Sequence, residues 1–164
     1  MKYFKICAWI FFLSVSIAIF FFSSQTAAES SQVSGSLLHE ILIRLVPGYG
    51  ELPLAEQAII KAQYHGLIRK AAHFSIYALW GMSLTLLLFL YQFGKKALVF
   101  TVTGGGLLYA ICDELHQMFS NGRSAQISDV FLDFFGMAVG MGIFLLCSLW
   151  YYRKRKRVYY SKEI

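Results

Sequence analysis

A chain of 164 residues that is 57% hydrophobic and 17% aromatic but only 15% charged is too apolar for an ordinary soluble domain, in which about a quarter of residues carry charge. The length allows one domain, and the apolar residues fall into long blocks, which excludes a water-facing β fold and leaves an all-α polytopic membrane protein. The net charge of +6 collects at the ends of those blocks, where it marks topology and does not call for a nucleic-acid partner.

The first block, residues 6–22, follows Lys2 and Lys5 and is long enough to cross a bilayer as a helix, which needs roughly 20 mainly apolar residues. Ser23-Ser24-Gln25-Thr26-Ala27-Ala28 comes next, so the start also imitates a secretory signal with small residues at a cleavage point. Its apolar run exceeds the roughly 7–15 residues of a signal core, and an uncleaved anchor is the expectation. Residues 23–70 form one long polar connection. Within it Leu37, Leu38, Ile41, Leu42 and Leu45 repeat at helical spacing up to a break at Pro47-Gly48-Tyr49-Gly50. Leu54, Ala55, Ala58, Ile59 and Ala62 then predict a second, amphipathic helix lying on the outer surface or capping the bundle.

Three further spans are predicted over residues 71–93, 97–115 and 130–152. The expected architecture is a four-transmembrane-helix bundle, residues 1–152, with an extracytoplasmic helical loop between spans 1 and 2 and a basic tail over 153–164. Lys2, Lys5, Lys95, Lys96 and the tail place ten basic residues and one acid, Glu163, on one side of the membrane, against five basic and eight acidic residues on the other. Basic residues near span ends stay inside, so both termini are expected in the cytoplasm. The tail from Arg153 to Arg157 reads as a topology marker that touches anionic lipid heads, with no catalytic role. Cys7, Cys112 and Cys147 all fall in spans and read as small packing residues, since no disulfide framework or metal-type pair is visible.

Ionisable residues gather at the outer ends of the last three spans. At about 1.5 Å per residue, Asp113 and Glu114 lie roughly 25 Å beyond Lys96, His73 about 33 Å from Lys95, and Asp133 about 30 Å from Arg153. Three helices therefore deliver charge at one depth. Lys70, His73 and Tyr77 share a face of the second span beside Arg69; Asp113 precedes His116 and Gln117 by one turn on the third; Asp129 and Asp133 open the fourth. A charge costs about 2.5–3.5 kcal/mol at the centre of a spanning helix, so such residues are expected to face the bundle interior and pair. Gly136 and Gly140 form a small-xxx-small pair, and Gly104-Gly105-Gly106 removes bulk midway along the third span, which predicts close helix approach at both places.

Phe22-Ser23-Ser24-Gln25, Arg69-Lys70-x-x-His73-Phe74-x-x-Tyr77, Asp113-Glu114-x-His116-Gln117, Gly122-Arg123-x5-Asp129-Val130 and Gly136-x3-Gly140, in this order, resemble the VanZ-like family. The resemblance covers most of the chain, and residues 29–67 carry little of it. It implies a four-span protein of a bacterial plasma membrane and a link to low-level resistance to the glycopeptide teicoplanin, and it implies no established activity.

Three readings of the cluster stay open. In the first, Arg69, Lys70, Tyr77, Gln117, Arg123 and Asp129 bind the head group of a membrane lipid or lipid-linked cell-wall precursor, with Lys70 and Arg123 meeting its anionic part. In the second, the chain is an envelope-lipid enzyme in which His73 or His116 is a general base, Asp113, Glu114 or Asp129 orients it, and a basic residue stabilises a developing oxyanion. A metal version of that enzyme would use His73, Asp113, His116 and Asp129, although their spacing is no diagnostic zinc signature and no cofactor is specified. In the third, the cluster is an ionic lock in a structural or partner-binding protein.

Overall fold

The structure is a computed structural model that describes residues 2–160, with side chains described through Lys154. Lys162 and Glu163 of the charge count lie outside the described residues, as do the side chains of Arg155, Lys156 and Arg157. Among the described residues the chain is all helical: α1 (Lys2–Ser24), α2 (Ala27–Leu45), α3 (Leu54–Leu90), α4 (Lys95–Gln117) and α5 (Ile127–Tyr160), with a 3-10 turn over Tyr49–Glu51 between α2 and α3. Helices α1, α3, α4 and α5 are long and apolar enough to cross a membrane.

Each of these four matches one predicted span; α3 ends at Leu90, short of the expected 93, and begins a whole segment earlier. The amphipathic helix expected to lie on the outer surface or to cap the bundle is the first part of α3, which runs for 37 residues without interruption, about 55 Å. Nothing in the sequence stops it: no proline falls between Leu54 and Leu90, and Arg69-Lys70, which look like a membrane boundary, are good helix formers.

Helix α2 packs on that extension. It starts with a capping box in which the Thr26 side chain accepts from the Glu29 N–H while the Glu29 carboxylate accepts from the Thr26 N–H and hydroxyl. Those two donated bonds, the backbone one first, hold the Glu29 carboxyl below its ordinary pKa. Leu38, Leu42 and Tyr49 then form a small core with Leu52, Ile60 and Ile68.

The main core lies between α1, α3, α4 and α5 and includes Ala8, Val15, Ile19, Trp80, Leu84, Val102 and Met137. Its polar atoms find partners inside, as a lipid surrounding requires. Trp80 stacks on Tyr109 at 5.1 Å and donates to Ser16 Oγ at 3.0 Å, and the Tyr109 hydroxyl donates to the Ser16 carbonyl at 2.9 Å. The outward faces carry large exposed apolar side chains such as Ile17, Phe100, Phe135 and Leu146. A monomer in water rarely exposes so continuous an apolar belt, and lipid is the solvent that matches it.

Helices α3 and α5 share the most extensive interface. A Cβ on Gly136 would meet the Phe74 carbonyl, and one on Gly140 would meet the Ala78 carbonyl, so both glycines of the predicted pair permit backbone contact. The Gly104-Gly105-Gly106 triplet behaves differently. Gly106 gives way to the Met137 side chain, but Gly104 and Gly105 have nothing within 4 Å and serve no close approach.

Gly140→Val should therefore destabilise the detergent-purified protein by about 1–3 kcal/mol, the range for overpacking a tight contact, whereas Gly142→Val, with open space around it, should change stability by less than about 0.5 kcal/mol beyond the shared helix-propensity cost. Thermal unfolding of the two variants side by side checks this, and equal losses would show that the α3–α5 backbone contact is not what holds the pair together.

Candidate functional site: a polar cluster at one end of the bundle

The ends of α1 and α4, the start of α5 and the middle of α3 meet at one end of the bundle. Asp113 on α4 is 7% exposed, and its Oδ2 accepts from the Tyr77 hydroxyl of α3 at 2.9 Å and from Gln117 Nε2 at 3.1 Å. Gln117 also donates to Ser23 Oγ of α1 at 3.4 Å, so three helices are joined through one carboxylate. Glu114, also buried, accepts the backbone N–H of Gln126 at 2.6 Å. That bond satisfies an amide just ahead of α5 and sets a negative charge at the positive end of the helix.

The basic residues do not all face the same way. Lys70 Nζ lies 3.9 Å from Asp129 Oδ1 in a partly exposed ion pair. His73 Nδ1 lies 3.7 Å from Asp133 Oδ1, longer than a hydrogen bond; Asp133 is fully buried, and neither of its oxygens has a hydrogen-bond partner. Arg123, in the segment between α4 and α5, donates from Nη1 to the carbonyls of Phe22 and Ser23 at 3.2 and 3.4 Å, which caps the end of α1. Burial first and the nearby Arg69 second hold the Arg123 guanidinium below its ordinary pKa.

Two adjoining cavities border this cluster. The larger, about 230 Å³, has an apolar wall from Ile19, Phe22, Val33, Leu37, Ile68, Ala72 and Ile76, and reaches Ser23, Arg69, His73, Tyr77, Asp113 and Arg123. The smaller, about 80 Å³, is polar and is lined by Arg69, His73, Gln117, Gly122, Arg123, Ser124, Gln126 and Asp129. Arg69, His73 and Arg123 line both.

Of the candidate residues, Arg69, Lys70, His73, Tyr77, Asp113, Glu114, Gln117, Arg123 and Asp129 are brought to this end of the bundle together. His116 is not part of the group. Its ring stacks on Phe20 at 4.7 Å and its Nε2 lies 3.1 Å from Ser24 Oγ, so it faces α1 while Asp113, one turn away, faces α3. The two were expected to share a face, but the α1–α4 and α3–α4 contacts take different sides of that helix. Among the described residues no three His, Cys, Asp or Glu side chains gather as metal ligands would. Of the two imidazoles read as bases, only His73 lines a cavity and has a carboxylate behind it, and that carboxylate belongs to Asp133 instead of Asp113, Glu114 or Asp129.

Sequence reasoning left out Asp133 as the partner of His73, although it lies one turn from Asp129 on the same face. It also left out the wall supplied by α2, for which only the helical repeat around Leu37 was a signal.

A buried polar cluster closing one end of four long apolar helices is the arrangement of a small polytopic membrane bundle. Within that class, a family model described as VanZ/LLP1 matches residues 8–148, and the chain belongs to this family. No curated protein and no solved structure matches the chain.

Tyr77→Phe removes the α3 bond to Asp113 and leaves a buried carboxylate with one donor fewer. The expected cost is about 1.5–3 kcal/mol, the range for a hydrogen bond to a charged group. Ser75→Ala, whose hydroxyl bonds only its own helix in an exposed position, should cost less than about 0.5 kcal/mol. Melting temperatures of the purified variants test the difference; no separation between them would mean that the Tyr77–Asp113 bond does not tie α3 to α4.

Proposed function

We propose that this protein binds an amphipathic component of the bacterial envelope, a membrane lipid or a lipid-linked wall precursor, at the outer leaflet of the plasma membrane. The single observation that carries the reading is the 230 Å³ cavity, which is apolar along α1, α2 and α3 and ionic where it meets Arg69, His73 and Arg123. A bundle whose only task is to pack fills such a space with side chains. A ligand with an acyl or prenyl chain and a polar head matches both walls of the cavity. The VanZ resemblance adds the link to glycopeptide tolerance, since a protein that holds or remodels such a component alters what teicoplanin meets.

Charge supports the sidedness. Lys5 sits 4.3 Å from the Tyr91 ring, at the end of α3 remote from His73, and Lys2, Lys95, Lys96, Arg153 and Lys154 belong to the same end of the bundle. Positive residues stay cytoplasmic, so the polar cluster, α2 and the first part of α3 face outward and both termini face inward. Helix α1 contributes Ala8, Val15 and Ile19 to the core and receives the Arg123 cap, which supports its retention as an anchor.

One observation favours a second reading, hydrolysis of the bound lipid. His73 lines the cavity with Asp133 behind it, as a base and its orienting carboxylate would, and activated water would then be the nucleophile.

Ala72→Trp, which places a large ring in the cavity, should reduce co-purified lipid several-fold and abolish teicoplanin protection at an unchanged level of protein in the membrane. Mass spectrometry of lipids bound to the purified protein is the measurement, and undiminished lipid with the cavity filled would overturn the binding reading. In a cysteine-free background, Ser124→Cys should react with a membrane-impermeant maleimide in intact cells and Lys95→Cys only after lysis; the reverse pattern would invert the topology.

A further inference from the structure

The small polar cavity has a lining that the ionic-lock reading does not explain. Arg69, His73, Arg123 and Ser124, all donor-bearing side chains, line it, and its carboxylate, Asp129, is already held by Lys70. Among the described residues neither guanidinium has a carboxylate oxygen within 4.0 Å. Arg69 has no hydrogen-bond acceptor among them, and Arg123 engages only Nη1, with the two carbonyls that end α1.

Four carboxylates stand close by, and each is directed elsewhere. Asp113 takes Tyr77 and Gln117, Glu114 takes the Gln126 amide, Asp129 takes Lys70, and Asp133 lies beneath His73. A lock would have paired these acids with the arginines. The fold instead sets two like charges near each other, Arg69 without a partner among the described residues and Arg123 with only Nη1 engaged, and the burial of Arg123 and then the Arg69 charge weigh against the charged guanidinium more than Asp113, Glu114 and Asp129 favour it. An anion bound between them reverses that balance.

We infer that the polar cavity is a phosphate site, in which Arg69 and Arg123 clamp the phosphate of a phosphorylated amphipath whose chain occupies the adjoining apolar cavity. The chamber is small, about 80 Å³, and its lining is polar, which suits a compact oxyanion. Two planar guanidinium forks meeting a tetrahedral group with several acceptor oxygens is the geometry in which arginine outperforms lysine. Because Arg69, His73 and Arg123 line both chambers, the phosphate sits at the boundary between them, where a phosphate ester of a lipid has its charge.

This inference rests on the amphipath reading, and one binding experiment separates the two. The full chain, purified in a detergent with an uncharged head, is titrated with dioctanoyl phosphatidylglycerol, with dioctanoylglycerol, which has the same chains and no phosphate, and with inorganic phosphate. Phosphatidylglycerol should bind at least about tenfold more tightly than dioctanoylglycerol, and Arg69→Gln and Arg123→Gln should each remove about tenfold of its affinity or more while leaving dioctanoylglycerol within about twofold. Lys61→Gln, which removes a positive charge that lines neither of these two cavities, should leave phosphatidylglycerol binding within about twofold. Arg123 also caps α1, so Arg69→Gln, which breaks no bond within the described residues, decides the matter if Arg123→Gln fails to fold. Equal binding of the two lipids, untouched by Arg69→Gln, overturns the phosphate site and leaves amphipath binding standing. Binding of inorganic phosphate without either lipid keeps the anion site and overturns the amphipath reading, and silence in every arm overturns both.

Discussion

The buried carboxylate of Asp113 is the interaction on which the rest of this end of the molecule depends. A buried carboxyl group must be met from within the protein, and Asp113 is met from two directions, by Tyr77 of α3 and by Gln117 of its own helix. Gln117 in turn reaches Ser23 of α1, and Ser120 and Arg123 bond the same α1 terminus through the carbonyls of Phe22 and Ser23. The polar end is thereby sealed by hydrogen bonds that converge on one acid and one helix end. A rigid frame of this kind holds Arg123 in place without consuming all of its donors.

The fourth helix is positioned by different physics. Gly136 lies one turn after Asp133, and its close contact is the carbonyl of Phe74, the neighbour of His73. Gly140 makes the equivalent contact with Ala78, the neighbour of Tyr77. Backbone approach at the two glycines therefore holds α5 against α3 where Asp133 faces His73, 3.7 Å apart. Enlarging either glycine moves an acid away from an imidazole as well as loosening a helix pair, so stability and the geometry of the site are coupled through one interface.

Much of this was legible from residue order because two simple periodicities dominate a membrane chain. The length of the apolar blocks placed the four spans, and rise per residue placed His73, Asp113 and Asp133 at a common depth. What was not legible turned on features that depth does not encode. Lys70 and Arg69 are adjacent and both cationic, but a step of one residue rotates a helix by about 100°, and that rotation sends Lys70 to Asp129 and Arg69 into the cavities. His116 and Asp113 lie three residues apart, close enough to share a face, yet each was captured by a different neighbouring helix. The continuity of α3 was hidden because Arg69-Lys70 looks like a boundary in hydropathy while being helix-forming in propensity. The Gly104-Gly105 pair shows the converse: small residues permit close approach, and only a partner makes use of it.

The long α3 and the α2 that packs on it also explain why the apolar cavity exists. Had the segment from Leu54 to Ile68 folded down across the bundle, its apolar face would have covered the ends of α1 and α4 and filled the space. By continuing straight past the polar end it leaves α2 to return alone along one side, capped at Thr26 and tied by the Ala27 N–H to the Asn121 carbonyl at 3.0 Å. Val33, Ser34 and Leu37 then stand opposite Ile68, Ala72 and Ile76 without closing the gap. One wall of the cavity is thus supplied by α2, through Val33, Ser34 and Leu37. On the binding reading proposed above, the head would be held by residues of the bundle and the chain by the side of the cavity that α2 supplies.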